Sequence, residues 1–324
     1  MSITEYREVY KPFTLPKVME YYKAMELTYW RPEKASMGKD VIDFYQYLTP
    51  RERKVIAGIL KGFTIMECYV GDYWADVVPK IIPLHEVKAA CYQNALVESN
   101  HSRSYAHLTD TLGLNTYEAF LTDPVIQKKL ETFINHPDSR VSLAIFSGAG
   151  EGVSLFSSFA VLLSFGKESY LKGLSQIISW SVRDEVAHSN LGIYLLNKLV
   201  EEEPLTVNEI KEIYEGFRIV VKNEFDFIDQ IFEGKDLETI RYSSLKDYIH
   251  YRANDRLRAL NLEPIFTTMG EYQEVAEWFE AETKGIVSND FFDQPIEGSN
   301  YTANLPQDFS GFDYSIFKEY SKCQ

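Results

Sequence analysis

The sequence predicts an all-α fold, a four-helix bundle core with additional helices around it, and three observations carry that prediction. Apolar residues recur at helical spacing over long stretches, with no alternating strand pattern in competition. Prolines (Pro79, Pro83, Pro137, Pro204, Pro264) fall between those stretches, where helices stop. Two copies of Glu-x-x-His, Glu98–His101 and Glu185–His188, lie far apart, and each follows one carboxylate in an apolar stretch, Glu67 and Glu151.

The N-terminus, MSITEYREVYKPF, has no apolar run and predicts no signal peptide. The first helix of the core carries Ile56, Leu60, Phe63, Glu67, Val70 and Trp74 at alternating steps of four and three, so Glu67 sits on the apolar stripe. The second repeats that spacing with Val87, Cys91, Asn94, Glu98, His101, Tyr105 and Leu108. The third carries Ala144, Glu151, Leu155, Phe159 and Leu162. Between Val141 and Gly166 its only charge is Glu151; the run is long enough to cross a bilayer. Gly148, Gly150, Gly152 and six serines instead mark a buried core helix with a Gly-rich start, so no membrane span is expected. The fourth reads Ile178, Ser181, Glu185, His188, Gly192 and Leu195. After about residue 292 the composition turns to Gly, Ser, Asn, Pro, Gln and Asp with scattered aromatics. This predicts a helical domain over 1–295 and a flexible C-terminal tail over 296–324.

Composition narrows the function. A net charge of −15 argues against a nucleic-acid partner, which needs clustered Lys and Arg. Cys68, Cys91 and Cys323 have neither zinc nor disulfide spacing, which fits a reducing cytoplasm.

Four carboxylates on apolar stripes are the chemical signal. A single ionised carboxylate moved into a core costs tens of kcal/mol in the Born limit. Converging acids raise one another's pKa further. Arg103 and Arg183 lie off the stripes, so two divalent cations balance Glu67, Glu98, Glu151 and Glu185 best, and His101 and His188 add neutral donors. The set matches that of ferritin-like di-iron and di-manganese carboxylate proteins. Oxygen and imidazole donors suit iron and manganese. Tyr105 lies one turn beyond His101, on the same face. Asp184 points off the ligand face, where it can accept the second ring N–H of a ligand histidine.

Several segments together make the chain resemble the radical-generating small subunit of class I ribonucleotide reductase: YWRPEKASM at 29–37, ESNHSRSYAHL at 98–108, EGVSLFSSF at 151–159, SVRDEVAHSNLG at 181–192 and YIHYRANDRLRALNLEPIF at 248–266. The resemblance implies a ferritin-like bundle in which Glu67, Glu98 and His101 bind one metal, Glu151, Glu185 and His188 the other, with carboxylates bridging. Tyr105 matches the radical-storing tyrosine, and Trp30, Asp184 and His101 match the relay to the surface. Leu155 and Phe159 would form a dry wall. The tail resembles the segment that docks on the large catalytic subunit, which reduces ribonucleotides to deoxyribonucleotides, and Tyr301 is the best match for its relay tyrosine, ahead of Tyr314 and Tyr320. A homodimer and a flavoprotein activator are further implied partners. Two departures stand out. Glu67 replaces the usual Asp, and Ser181 replaces an apolar residue facing the tyrosine, so Mn/Mn, Fe/Fe and Mn/Fe pairs all stay open. Di-metal oxidases and desaturases share the ligand order but act on their own substrates, without a Trp30–Asp184 relay or a tail. Ferritin-like metal storage and a purely structural helical scaffold are the non-enzymatic alternatives.

Overall fold

A computed structural model describes residues 2–114, 122–131, 133–134 and 137–281. Among them every regular element is helical, as the sequence predicts. The order is α1 (Val18–Leu27), α2 (Gly38–Ile42), α3 (Pro50–Asp72), α4 (Val78–Ile81), α5 (His85–Thr111), α6 (Pro124–Glu131), α7 (Arg140–Ile145), α8 (Phe156–Lys167), α9 (Lys172–Glu202), α10 (Val207–Phe232) and α11 (Tyr242–Ala259). A nine-residue π-helical segment, Phe146–Ser154, joins α7 to the turn before α8. The core is built from α3, α5, the π segment with α8, and α9, while α1, α10 and α11 pack outside it.

Local chemistry fixes the helix starts. Thr49 and Glu52 form a reciprocal capping box on α3, with Pro50 at its first position, and Thr206 with Glu209 does the same for α10. For α9 the caps come from elsewhere. Asp40 takes the amides of Gly173 and Leu174, and Asp43 takes that of Leu171, which adopts a left-handed conformation at φ 51°. Two buried carboxylates thus replace the missing intrahelical partners of the longest helix.

The third core helix departs from the sequence expectation. Its spacing predicts a regular α-helix, but the turns carrying Glu151 are widened to i→i+5 bonding. The Gly-rich run lies within these turns, where neighbours come too close for side chains. A Cβ at Gly148 would lie 2.8 Å from the Phe217 ring, one at Gly150 3.1 Å from Phe133, and one at Gly152 2.6 Å from Arg256 Cδ. Within Arg140–Lys167 an 18-residue window has a mean hydropathy of 1.4 and is 94% buried within the fold, so its apolar surface serves the core.

Gly192 of α9 marks the tightest crossing: a Cβ there would sit 2.4 Å from Ser147 Cβ. Gly192→Ala is therefore expected to force α9 off the π segment and lower stability by about 1–3 kcal/mol, the usual cost of overpacking, measurable by chemical denaturation. The tail over 296–324, with Tyr301, Tyr314 and Tyr320, lies outside the described residues.

Candidate metal centre

Each core element brings its predicted acid inward. Glu67 comes from α3, Glu98 and His101 from α5, Glu151 from the π segment, and Glu185 and His188 from α9, and all six are fully buried. Their donor atoms form two groups, each with its atoms within 4.8 Å of one another: Glu67, Glu98, His101 and Glu185 in one, Glu98, Glu151, Glu185 and His188 in the other. Glu98 and Glu185 belong to both, so helices α5 and α9 each provide one shared carboxylate.

The imidazoles present Nδ1 to the acids. His101 Nδ1 is 3.0 Å from Glu98 Oε2 and 3.0 Å from Glu185 Oε1. His188 Nδ1 is 2.5 Å from Glu98 Oε1, 3.6 Å from Glu185 Oε2 and 4.0 Å from Glu151 Oε1.

A buried polar atom with no partner is costly, and here such atoms are concentrated. Both oxygens of Glu67 and of Glu185, Glu98 Oε1, Glu151 Oε2 and both nitrogens of His188 lack a well-aligned hydrogen bond, the close His188–Glu98 approach included. These atoms converge as an all-oxygen-and-imidazole donor set, which fits a pair of first-row divalent cations.

Without the cations, protons carry the compensation. Burial first, and then the charges of Glu185 and Glu98, push Glu67 well above the carboxylate range. Glu151 rises likewise through burial, against the pull of His188. Burial also opposes the charge on Glu98, but His188 and His101 outweigh it and hold that carboxyl at about 2. Both imidazoles are raised well above their ordinary value, because Glu98 overcomes their desolvation. Cations must displace those protons. Apparent affinity for Mn(II) is therefore expected to climb as pH rises from 6 to 8, with net proton release on binding in calorimetry across buffers of different ionisation enthalpy.

Behind His101 the contacts continue to a carboxylate and an indole. Asp184 Oδ2 lies 3.2 Å from His101 Nε2 and accepts the Trp30 indole N–H at 2.7 Å. Burial alone would raise the Asp184 carboxyl, but Arg183, whose guanidinium donates to Oδ1 at 3.2 Å, together with His101 and Trp30 holds it below its ordinary value. Trp30 stacks on His101 with ring centroids 5.8 Å apart. The Tyr105 ring lies 6.2 Å from His101 and 4.9 Å from Phe63, and Phe159 closes on Phe63 at 5.0 Å. Leu155, Phe159 and Ser181 are fully buried, and the Ser181 hydroxyl donates to its own helix at Ile177.

Two aromatic contacts escape sequence reasoning. Trp74 donates its indole N–H to Glu151 Oε1 at 2.5 Å, although spacing marks it only as core. Trp180, half-buried, lies 5.1 Å from Trp30 and extends the Asp184–Trp30 chain outward. Glu151 and Trp74 are 77 residues apart, and no local pattern reports such a pair.

The sequence matches the family described as "Ribonucleotide reductase, small chain" over residues 7–274. A probable ribonucleoside-diphosphate reductase small subunit of Invertebrate iridescent virus 6 is 30% identical over 311 residues, covering 82% of this chain and 86% of the viral one. In fold the chain is similar to the ribonucleotide reductase R2 subunit from Clostridium botulinum, with a TM-score of 0.69 and 21% identity over 83% of this chain and 88% of that one. It is likewise similar to the dimanganese(II)-NrdF of Streptococcus sanguinis, with a TM-score of 0.71 and 20% identity over 89% of this chain and all of that one. With a buried Glu/His cluster in a helical core and a family match spanning most of its length, the chain belongs to the ribonucleotide reductase small-chain family.

Proposed function

We propose that the chain, as the small subunit of a ribonucleoside-diphosphate reductase, holds two metal ions through Glu67, Glu98, His101, Glu151, Glu185 and His188 and lends a one-electron oxidant to the large catalytic subunit. The observation that carries this reading is the pair of buried donor groups sharing Glu98 and Glu185, with an acid–indole chain leading away from His101. When bound, the ions would supply one-electron oxidising power drawn from oxygen or a reduced oxygen species. The oxygen and imidazole donors suit manganese and iron alike, so the pair is Mn/Mn, Fe/Fe or Mn/Fe.

The residues of the chain then divide the work. Tyr105 is the storage position: burial keeps its phenol protonated well above the ordinary range, against a smaller opposing pull from the Ser181 hydroxyl. Phe63, Phe159 and Leu155 exclude water around it. Asp184 ties the ligand His101 to Trp30, so one carboxylate orients the imidazole and accepts from the indole that must lose an electron. A desaturase acting on its own substrate has no use for that connection.

By the same reading the protein works in the cytoplasm as a homodimer, docks on the large subunit through 296–324, and takes a flavoprotein activator with manganese. Tyr301→Phe is expected to abolish reductase turnover while the resonance of the loaded protein stays intact; unchanged turnover would reject Tyr301 as the tail relay. Electron paramagnetic resonance of aerated, metal-loaded protein tests the whole reading. A sharp tyrosyl or multiline manganese signal that decays on turnover with the large subunit supports it, and a persistently silent, inactive protein overturns it.

A further inference from the structure

Three carbonyl groups of the π segment find their donors on other helices. Ser189 Oγ of α9 donates to Ser147 O at 2.6 Å, Arg252 Nε of α11 to Gly152 O at 3.0 Å, and Lys129 Nζ of α6 to Ser154 O at 3.0 Å. The last two flank Glu151 on its C-terminal side by one and three residues. Lys129 and Glu224 form a dry ion pair at 2.9 Å, with exposures of 2% and 0%. Glu224 in turn accepts from Ser154 Oγ at 3.0 Å and from Ser157 Oγ at 2.6 Å. Lys129 lies over the Phe227 ring at 4.3 Å, and the Arg252 guanidinium over Phe156 at 3.8 Å.

A π turn, with i→i+5 bonds, is rare beside regular α-helix, so partners outside the helix help to hold it. Placing a lysine and a glutamate in a dry wall is expensive unless both are fully bonded, and such a pair is weak as a source of stability. Among the described residues, every hydrogen bond the pair makes beyond itself ends on Ser154 or Ser157, three and six residues after Glu151. Trp74 restrains the Glu151 carboxylate itself, Lys129 and Arg252 restrain the backbone beyond it, and Glu224 holds Lys129 and the Ser154 hydroxyl in place.

We propose that Lys129, Glu224 and Arg252 are positioning residues that hold the widened turn of Glu151 and so set how firmly the second metal ion is bound. The proposal rests on Glu151 being a ligand of that ion. The loss of either donor lets the turn relax toward regular α-helix, which swings Glu151 away from His188 while leaving the Glu67–Glu98–His101 group untouched.

Titration of the full-length apoprotein with Mn(II), followed by electron paramagnetic resonance and paired with thermal melting, separates positioning from stability. Native protein should bind two ions as a spin-coupled pair, and Glu151→Ala only one. Lys129→Met should bind the first ion normally and the second about 10–100-fold more weakly, the range seen when partners behind a ligand are lost. Lys129→Met/Glu224→Leu removes both buried charges and should recover melting temperature without recovering the second ion, because Ser154 O still has no donor. Glu86→Gln, which weakens the buried acceptor of the Thr14 and Leu15 amides, should lower the melting temperature and leave both ions bound. Native binding of the second ion by folded Lys129→Met, or its recovery in the double variant, would overturn the clamp alone. Fewer than two ions on the native chain would overturn the ligand assignment as well.

Discussion

Glu98→Ala is expected to empty the whole centre, whereas Glu67→Ala should cost only one ion. Glu98 is one of two acids present in both donor groups, and of the two it lies nearer His188, at 2.5 Å against 3.6 Å for Glu185, with both 3.0 Å from His101. Its removal takes one donor from each ion and leaves His101 and His188 without the charge that organises them. The affinity loss should exceed the 10–100-fold typical for a residue that merely orients a ligand. Metal analysis of the two variants after gel filtration checks the asymmetry: near zero per chain for Glu98→Ala and about one for Glu67→Ala. Equal losses would mean that Glu98 is not shared.

Asp184→Asn should abolish turnover even at saturating metal. Asp184 Oδ2 accepts from Trp30 and faces His101 Nε2, while Oδ1 accepts from Arg183. An amide cannot satisfy all three. With its oxygen toward Trp30 it turns an NH2 on the Arg183 guanidinium, and flipped it turns that NH2 on the indole and the imidazole. His101 then loses its orienting anion, with a 10–100-fold fall in Mn(II) affinity. Trp30→Phe separates the two consequences. It keeps the ring stack on His101 and the carboxylate, so metal affinity should stay within a few-fold of native, yet turnover should fall at least 100-fold. Native turnover by Trp30→Phe would remove the indole from the path.

The sequence carries most of this centre because helical spacing is a local property. Glu67, Glu98, His101, Glu185 and His188 stand on stripes of apolar residues, and the structure brings all five together. Asp184 is legible because its neighbour Glu185 faces inward, which turns Asp184 toward the back of a ligand histidine. The conformation at Glu151 is not legible. The register Glu151, Leu155, Phe159 and Leu162 reads as α, and the close approach of Phe217, Phe133 and Arg256 to its glycines comes from residues distant in sequence. The same limit hides Trp74 on Glu151, Trp180 on Trp30 and the Lys129–Glu224 pair, whose members are 95 residues apart. Each is a contact between stripes, and periodicity describes one stripe at a time. The aspartates that cap α9 belong to this class too, because Asp40 and Asp43 lie more than 100 residues before the amides they hold.

Crystals grown with Mn(II) and Fe(II) and measured on both sides of each absorption edge give the most direct test of the dinuclear centre. The expected result is two anomalous peaks inside the bundle, one beside Glu67 and His101, one beside Glu151 and His188, with Glu98 and Glu185 reaching both. A single peak, or none among these six residues in a protein that turns over, would contradict it.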